Sequence, residues 1–211
     1  GEAPTGRIGD WNMQQSSEAK ITRVVLDAMG GDNAPAEPVR GAVDAVCARA
    51  DIEVILTGQQ DVINAELAKY TYPKERIRIV HAEEVIETAE PPVNAIRKKK
   101  QSSIVVGMNM VRQKEADAFV SAGSSGAILV GGQGIVGRIR GIERPPLAPL
   151  IPTEKGVSLL IDCGANVDAR SSHLLQFAKM GSIYMENVLG MKRPRVAIVN
   201  IGAEEEKGNA L

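Results

Sequence analysis

The 211-residue chain is poor in aromatic residues, in cysteine and in charge of one sign. Aromatic side chains make up 3% of it, too few for the stacking platforms on which proteins bind nucleobases. The 25 Lys and Arg nearly balance the 26 Asp and Glu, so the basic excess typical of nucleic-acid-binding proteins is missing. The two cysteines, Cys47 and Cys163, fit a reducing cytoplasm better than a disulfide-stabilised secreted fold.

Long apolar runs and signal-peptide patterns are also missing from the sequence. No run reaches the roughly 18 apolar residues that a membrane-spanning helix needs. Residues 1–20 lack an apolar period, and we interpret them as a flexible leader or a cloning remnant. The chain is 44% hydrophobic, which is enough to bury the core of one α/β domain over residues 21–211.

From Ile21 onward, short β-branched runs alternate with helix-length segments. The pattern predicts strands at 22–27, 53–57, 76–80, 118–121, 157–162 and 195–200. It predicts helices at 38–49, 61–69, 102–114, 125–138 and 171–189, and an irregular Pro-rich segment at 141–156. Several strands are apolar throughout, which indicates burial on both faces. The sequence therefore predicts a three-layer α/β/α fold with a mostly parallel sheet.

Four of the predicted strands are followed by loops rich in Gly, Ser, Asn, Asp or Lys. In a parallel sheet such loops meet at the carboxyl edge, where open α/β folds bind ligands. Glycine lets the backbone approach a ligand, and helix N-termini offer unpaired N–H groups to an anion. The convergence predicts an anion-binding site at Gly30, Gly31, Asp32, Asn33, Gly123, Ser124, Ser125, Gly126, Asp162, Gly164 and Asn166.

Each of these loops also has a purely structural interpretation. Ser124 precedes a predicted helix, and capping that helix is the simpler role for its hydroxyl. Asp162 and Asn166 are ordinary turn residues. Lys207, within the run EEEKGN, fits a solvated helix face as well as it fits a site at the open edge.

Other familiar site patterns are not found in the sequence. The glycines match neither a dinucleotide fingerprint nor a P-loop, and no His/Cys cluster has zinc spacing. Neither His81 nor His173 lies in a nucleophile motif. The basic run Arg97, Lys98, Lys99 and Lys100 fits the solvated end of a short helix, or a surface for an acidic partner protein.

Seven stretches of the sequence together resemble the phosphate acyltransferase family of bacterial phospholipid synthesis. The matching stretches are VLDAMGGDNAP, AIRKKKQSSIVVGMNMV, ADAFVSAGSSGA, GRIRGIERPPL, DCGANVDA, LLQFAKMGSIYMENVLG and NIGAEEEKGN. The family usually has Asn-Thr-Gly where this chain has Ser124-Ser125-Gly126, so a hydroxyl is kept and an amide is lost. The family is longer, and the resemblance implies that its C-terminal part is missing from residues 21–211.

The resemblance implies transfer of a long-chain fatty acyl group from acyl carrier protein to inorganic phosphate, giving acyl phosphate for phospholipid synthesis. It implies a fold similar to phosphotransacetylases and isopropylmalate dehydrogenases and a homodimer. It also implies a cytoplasmic enzyme that contacts the membrane, or a membrane glycerol-phosphate acyltransferase, peripherally. We expect no nucleic-acid partner, because the charges balance, and no metal or other cofactor, because the sequence has no metal-ligand spacing or nucleotide fingerprint.

This chemistry suits the residues because phosphate is itself the nucleophile and a thiolate leaves without a strong general acid. We hypothesise that Lys207 binds phosphate or the developing oxyanion, and that Asn209 and Ser125 assist it. Asp27 completes the catalytic set as a positioning residue, a role it shares with Asp32 and Asp162.

The basic run would receive the acidic carrier protein, where charge chiefly sets the rate of encounter. Two other functions stay open. One is a short-chain phosphotransacylase that uses coenzyme A. The other is a non-catalytic phosphate- or acyl-binding protein, because a fold alone does not establish catalysis.

Overall fold

The computed structural model describes residues 21–154, 156–163 and 169–199. Its centre is a four-stranded parallel sheet with the order β3-β2-β1-β4. The strands are β1 (Thr22–Asp27), β2 (Ile52–Gly58), β3 (Ile77–His81) and β4 (Ala118–Val120). The four predicted strands of this region are confirmed to within one residue at each end. Short β-branched runs bounded by turn residues therefore identified every strand of the parallel sheet.

Six α-helices accompany the strands over the described ranges. They are α1 (Ala36–Ala48), α2 (Gln60–Leu67), α3 (Pro92–Lys98), α4 (Ser103–Arg112), α5 (Ser125–Gly131) and α6 (Ser171–Asn187). A π-helical turn, Gly132–Val136, continues α5, and a 3₁₀ turn, Lys74–Arg76, precedes β3. All five predicted helices are confirmed, although α5 ends earlier than predicted and passes into the π-helical turn.

The sheet is covered on both faces, as a parallel sheet requires. Val54 and Leu56 of β2 face a buried cluster formed with α1 and α2. Ile55, on the opposite face of the same strand, packs with Val25 and with Met110 of α4. Each fully buried aliphatic side chain contributes about 1.5–3 kcal/mol to stability. The predicted three-layer arrangement of helices, sheet and helices is therefore confirmed.

The predicted strand at 157–162 is not part of the parallel sheet. It forms β6 (Gly156–Leu159), which pairs antiparallel with β5 (Leu150–Thr153). The hairpin closes where the Thr153 hydroxyl donates to the Gly156 carbonyl at 3.1 Å. A local turn therefore provides the strand partner, and the Pro-rich segment that was predicted to be irregular contributes β5.

The prediction of a strand at 195–200 is wrong for the part that the structure describes. Residues 195–199 belong to no strand, and Val196, Ile198 and Val199 are exposed. β-branched residues favour a strand only where a neighbouring strand accepts their hydrogen bonds, and no strand within the described residues pairs with this segment. The predicted leader 1–20 lies outside the described residues. None of the helices in the described ranges is both long and apolar enough to cross a bilayer.

Candidate functional site

The strand order places a crevice between β1 and β4. From β1 the chain runs to β2 and β3 on one side, and it returns to β4 on the other side. At such a switch point the loops after two adjacent strands diverge, and open α/β sheets bind ligands there. The loop after β1 and the loop after β4 are two of the four loops that the sequence predicted to converge.

The buried carboxylate of Asp27 joins these two loops. Its Oδ1 accepts the Met29 N–H at 3.0 Å, and its Oδ2 accepts the Ser121 hydroxyl at 2.7 Å. Ser121 Oγ in turn accepts the Gly123 N–H at 3.0 Å. Asp27 is 1% exposed, so its carboxylate is occupied by the protein and not by solvent. The structure gives Asp27 the geometry of a positioning residue, while its place in the catalytic set stays a prediction.

The two loops touch at Gly30, where no side chain fits. A Cβ on Gly30 would lie 2.5 Å from Asp27 Oδ2, 2.8 Å from Gly123 N and 2.9 Å from Ser121 Oγ. The next residue, Gly31, has a φ of +98°, which other residues rarely adopt. The glycine pair of the first loop is therefore needed for close packing against the second loop.

The glycine loop, residues 121–126, leads from β4 into α5. Ser124 is buried, and its Oγ accepts the Ala127 N–H at 3.3 Å, so it caps the helix as the simpler interpretation predicted. Ser125 is exposed and lines a cavity together with Gly123 and Gly126. Of the two serines, only Ser125 therefore presents its side chain to a ligand.

A cavity of about 860 Å³ extends from the glycine loop along α5 and the π-helical turn. Its volume lies within the range of small-molecule binding sites. The walls are mostly apolar, and they include Met108, Phe119, Ile128, Leu129, Val136, Ile139, Ile142, Pro145, Pro146, Leu147 and Met180. An apolar chamber with a polar glycine loop at one end fits a ligand that has an apolar tail and a polar head.

The sequence did not predict this cavity. Its far wall is residues 137–147, here named the basic loop, which connects the π-helical turn to the hairpin. In that segment arginines alternate with the apolar residues Ile139, Ile142 and Leu147. Such alternation is as typical of an exposed loop as of the lining of a pocket. Met180 of α6 lines the cavity together with this segment.

The third predicted loop contacts Leu147, a residue that lines this cavity. Asp162 has a φ of +68°, and its backbone N–H donates to the carbonyl of Leu147 at 2.8 Å. Gly164 and Asn166 lie outside the described residues, as do Lys207 and Asn209 of the fourth loop. The roles of these four residues stay predictions.

Asp32 and Asn33 of the first loop are exposed in the turn that enters α1. The carbonyl of Asn33 accepts the Glu37 N–H at 3.1 Å and so helps to begin the helix. Their side chains face solvent on the same edge of the sheet as the glycine loop. Their binding role stays a prediction.

The predicted carrier-binding residues do not form one uniform surface. Arg97, Lys98 and Lys100 are exposed at the end of α3. Lys99 is half-buried, and its Nζ donates to the Val85 carbonyl at 2.6 Å and to Glu90 Oε1 at 2.5 Å. Two hydrogen bonds hold the pKa of Glu90 below its ordinary value. The larger effect comes from the Lys99 ammonium and the smaller from the backbone N–H of Glu87. Lys99 therefore ties the loop after β3 to α3.

Within the described ranges, no group of three or more His, Cys, Asp or Glu side chains is placed to hold a metal ion. Cys163 is exposed beside Asp162, and Cys47 is exposed on α1.

Residues 22–211 match the model of a protein family described as "Fatty acid synthesis protein". The phosphate acyltransferase of Alkaliphilus oremlandii is 56% identical over 189 residues, which are 90% of this chain and 56% of that protein. The phosphate acyltransferase of Clostridium beijerinckii is 53% identical over 90% of this chain and 57% of its own length. The chain thus spans just over half the length of these relatives. The resemblance to phosphate acyltransferases is confirmed.

Two solved structures share the fold. A phosphotransacetylase from Streptococcus pyogenes matches with a TM-score of 0.62 at 18% identity, over 88% of this chain and 60% of that one. The EutD phosphotransacetylase from Staphylococcus aureus matches with a TM-score of 0.56 at 21% identity, over 81% and 54%. The predicted likeness to phosphotransacetylases is confirmed at the level of fold. The likeness to isopropylmalate dehydrogenases stays a prediction.

Proposed function

Because the chain belongs to the fatty acid synthesis protein family, we propose that it supplies the sheet domain of an enzyme that transfers a fatty acyl group to inorganic phosphate. The names of its relatives, phosphate acyltransferases, support the acceptor and the type of reaction. The observation that carries the proposal is the apolar cavity that opens at the glycine loop. It provides space for an acyl tail beside backbone N–H groups that suit an anion.

In the proposed reaction, a phosphate oxygen attacks the carbonyl carbon of an acyl thioester. A C–O bond forms and the C–S bond breaks, and the thiolate leaves with the bonding electron pair. Phosphate needs no activating base, and a thiolate needs no strong acid, so positioning and charge stabilisation are the main tasks of the protein. The hydroxyl of Ser125 and the glycine-loop N–H groups other than that of Gly123, which already donates to Ser121, are suited to hold the phosphate near the carbonyl.

Lys207 and Asn209 complete the proposed site. Lys207 would neutralise the phosphate or the developing oxyanion, and Asn209 would assist by hydrogen bonding. Asp27 acts on the site through Ser121 and Gly123, since its carboxylate already has both of its partners in the protein. Loss of one oxyanion donor lowers turnover by about 10²–10³-fold, which is the effect expected for Lys207→Ala.

The acyl donor in the proposal is acyl carrier protein, and the exposed residues Arg97, Lys98 and Lys100 form its docking surface. Lys99 is excluded from that surface because its ammonium group already donates hydrogen bonds to Glu90 and to the Val85 carbonyl. Charge reversal of the three exposed residues should weaken carrier binding at low salt and have little effect at high salt, because surface charges are screened. We further propose a cytoplasmic homodimer in contact with the membrane or with a membrane acyltransferase.

The first experiment measures acyl-phosphate formation from phosphate and either palmitoyl carrier protein or palmitoyl coenzyme A. It is run on this chain and on a form completed to the length of its relatives. Turnover with the carrier-linked donor, lost in Lys207→Ala, is the expected result. Turnover with coenzyme A alone would favour the short-chain phosphotransacylase. Binding of phosphate or fatty acid with no turnover from the completed form would leave a non-catalytic binding protein.

A further inference from the structure

The basic loop, residues 137–147, depends on α6 for its position. The loop contains no strand or helix, although it forms the far wall of the cavity. Two side chains of α6 hold its centre. Gln176 Oε1 accepts the Glu143 N–H at 2.9 Å, and Gln176 Nε2 donates to the Gly141 carbonyl at 3.2 Å. His173 Nε2 lies 2.9 Å from Glu143 Oε2.

The hydrogen bonds of His173 define its tautomer. Its Nδ1 accepts the backbone N–H of Arg170 at 3.2 Å, so that nitrogen carries no proton. The ring proton is therefore on Nε2, which donates it to Glu143. His173 is 4% exposed and packs beside Phe177, with their ring centroids 6.3 Å apart. Because the ring is buried and both of its nitrogens are hydrogen-bonded, His173 is held in place. Glu143 connects the basic loop to it.

Glu143 is in turn tied to the start of the loop. The guanidinium of Arg138 donates to the Glu143 carbonyl, and Arg138 lines the cavity. The backbone between these two residues contains Ile139 and Ile142, whose side chains form part of the apolar wall. Moving Glu143 away from His173 would therefore move the apolar wall.

The start of this wall, at Gly137, is separated from the glycine loop by a helical segment that lines the cavity. The helical segment from Ser125 to Val136 comprises seven residues of α5 and five of the π-helical turn. At roughly 1.5 Å per residue it spans about 17 Å. A short acyl chain whose carbonyl lies at the glycine loop ends beside α5, whereas a long chain reaches the basic loop.

We propose that His173 is a positioning residue that, through Glu143, sets the length of acyl chain that the cavity accepts. The proposal rests on the proposed acyltransferase function. It assigns the chain-length preference to a hydrogen-bonded pair that touches neither phosphate nor thioester. The apolar residues that meet the end of the chain are held in place by that pair together with Gln176.

The test compares octanoyl and palmitoyl donors in the completed enzyme with Glu143→Ala, Glu143→Gln and the control Glu186→Ala. Glu186 is an exposed acid near the C-terminal end of α6, ten residues beyond Gln176. In Glu143→Ala, the KM for the palmitoyl donor should rise about tenfold with kcat unchanged, which corresponds to about 1.4 kcal/mol. The octanoyl constants should stay within about twofold. Glu143→Gln keeps an oxygen acceptor for His173 and should restore the palmitoyl KM.

Equal losses for both donors in Glu143→Ala would show that the pair is merely structural, and unchanged constants would show that it does not set chain length. Either result overturns the proposal. If the wild-type enzyme turns over neither donor, the proposed function fails, and displacement of a bound fluorescent fatty acid replaces turnover. Selective loss of palmitate binding in Glu143→Ala would still support the role of the pair, and equal or no loss would overturn it.

Discussion

Two carboxylates hold the two walls of the cavity, and their surroundings differ. Asp27 links residues 94 positions apart and is 1% exposed, enclosed by the sheet and the glycine loop. Glu143 links residues 30 positions apart, and its side chain is 47% exposed although its partner His173 is buried. Water can replace a lost partner at Glu143 but not at Asp27. The wall at the glycine loop, residues 121–126, is here named the sheet wall, and the wall at the basic loop is named the loop wall. The sheet wall is therefore fixed, whereas the loop wall can be displaced without unfolding the domain.

The largest expected effect is that of Asp27→Ala. It leaves the Met29 N–H and the Ser121 hydroxyl without their acceptor in a buried place, so the free energy of unfolding should fall by about 3 kcal/mol. Urea unfolding followed by circular dichroism measures it. The matched control is Asp44→Ala on the exposed face of α1, which should change stability by less than about 0.5 kcal/mol. Similar values for both variants would refute the contrast between the walls.

The next effect is that of Gly30→Ala. The new methyl would overlap the Asp27 carboxylate and the backbone of Gly123, so we expect a loss of about 2 kcal/mol in unfolding free energy. Gly41→Ala is the control, because nothing lies within 4 Å of a Cβ there and alanine favours the helix. Gly41→Ala should stabilise the protein by about 0.5–1 kcal/mol. A neutral Gly30→Ala would mean that the sheet wall is less tightly packed than described.

A smaller effect on stability is expected for Glu143→Ala. The half-exposed carboxylate is replaced by water, so the free energy of unfolding should fall by about 1 kcal/mol or less. Hydrogen exchange should speed up at the amide of Glu143 and not at the amide of Met29. Global destabilisation as large as that of Asp27→Ala would show that the loop wall is as rigid as the sheet wall.

The smallest effect concerns the loop after β3, residues 82–91, which Lys99 holds through Glu90. Lys99→Ala should raise the pKa of Glu90 toward its ordinary value, because the hydrogen bond that lowers it is lost. The wild-type pair contributes stability above the ordinary carboxyl pKa, and this contribution is lost as pH falls through the lowered pKa. NMR titration of the Glu90 carboxyl measures the change. The control Lys98→Ala should leave that pKa as it is.

The parallel sheet was predictable because each of its strands is a short apolar run bounded by turn residues. The hairpin strand β5 was not, since it contains Pro152 and its residues are exposed. Residues 195–199 show the opposite error: they have strand composition, but no strand in the part of the chain that the structure describes pairs with them. Sequence patterns report what a segment favours, whereas pairing depends on which edge the fold places beside it.

The candidate site was predictable where neighbouring strands fix it. The meeting of the loops after β1 and β4 follows from parallel strands ending at one edge, and the structure joins them through Asp27 and Ser121. The contact between His173 and Glu143 left no signal in the sequence. It depends on the angle at which α6 approaches the basic loop, and no local periodicity encodes that angle.

The π-helical turn makes the basic loop sensitive to chain length. Its closing bond runs from the Gly137 N–H to the Gly132 carbonyl at 2.9 Å, one residue further than an α-helical bond would reach. Deleting one residue here would restore α-helical spacing, bring the chain out rotated by about 100°, and put Ile139 in the place of Arg138. A substitution in this turn changes a single contact. An insertion or a deletion shifts every residue of the basic loop to its neighbour's position.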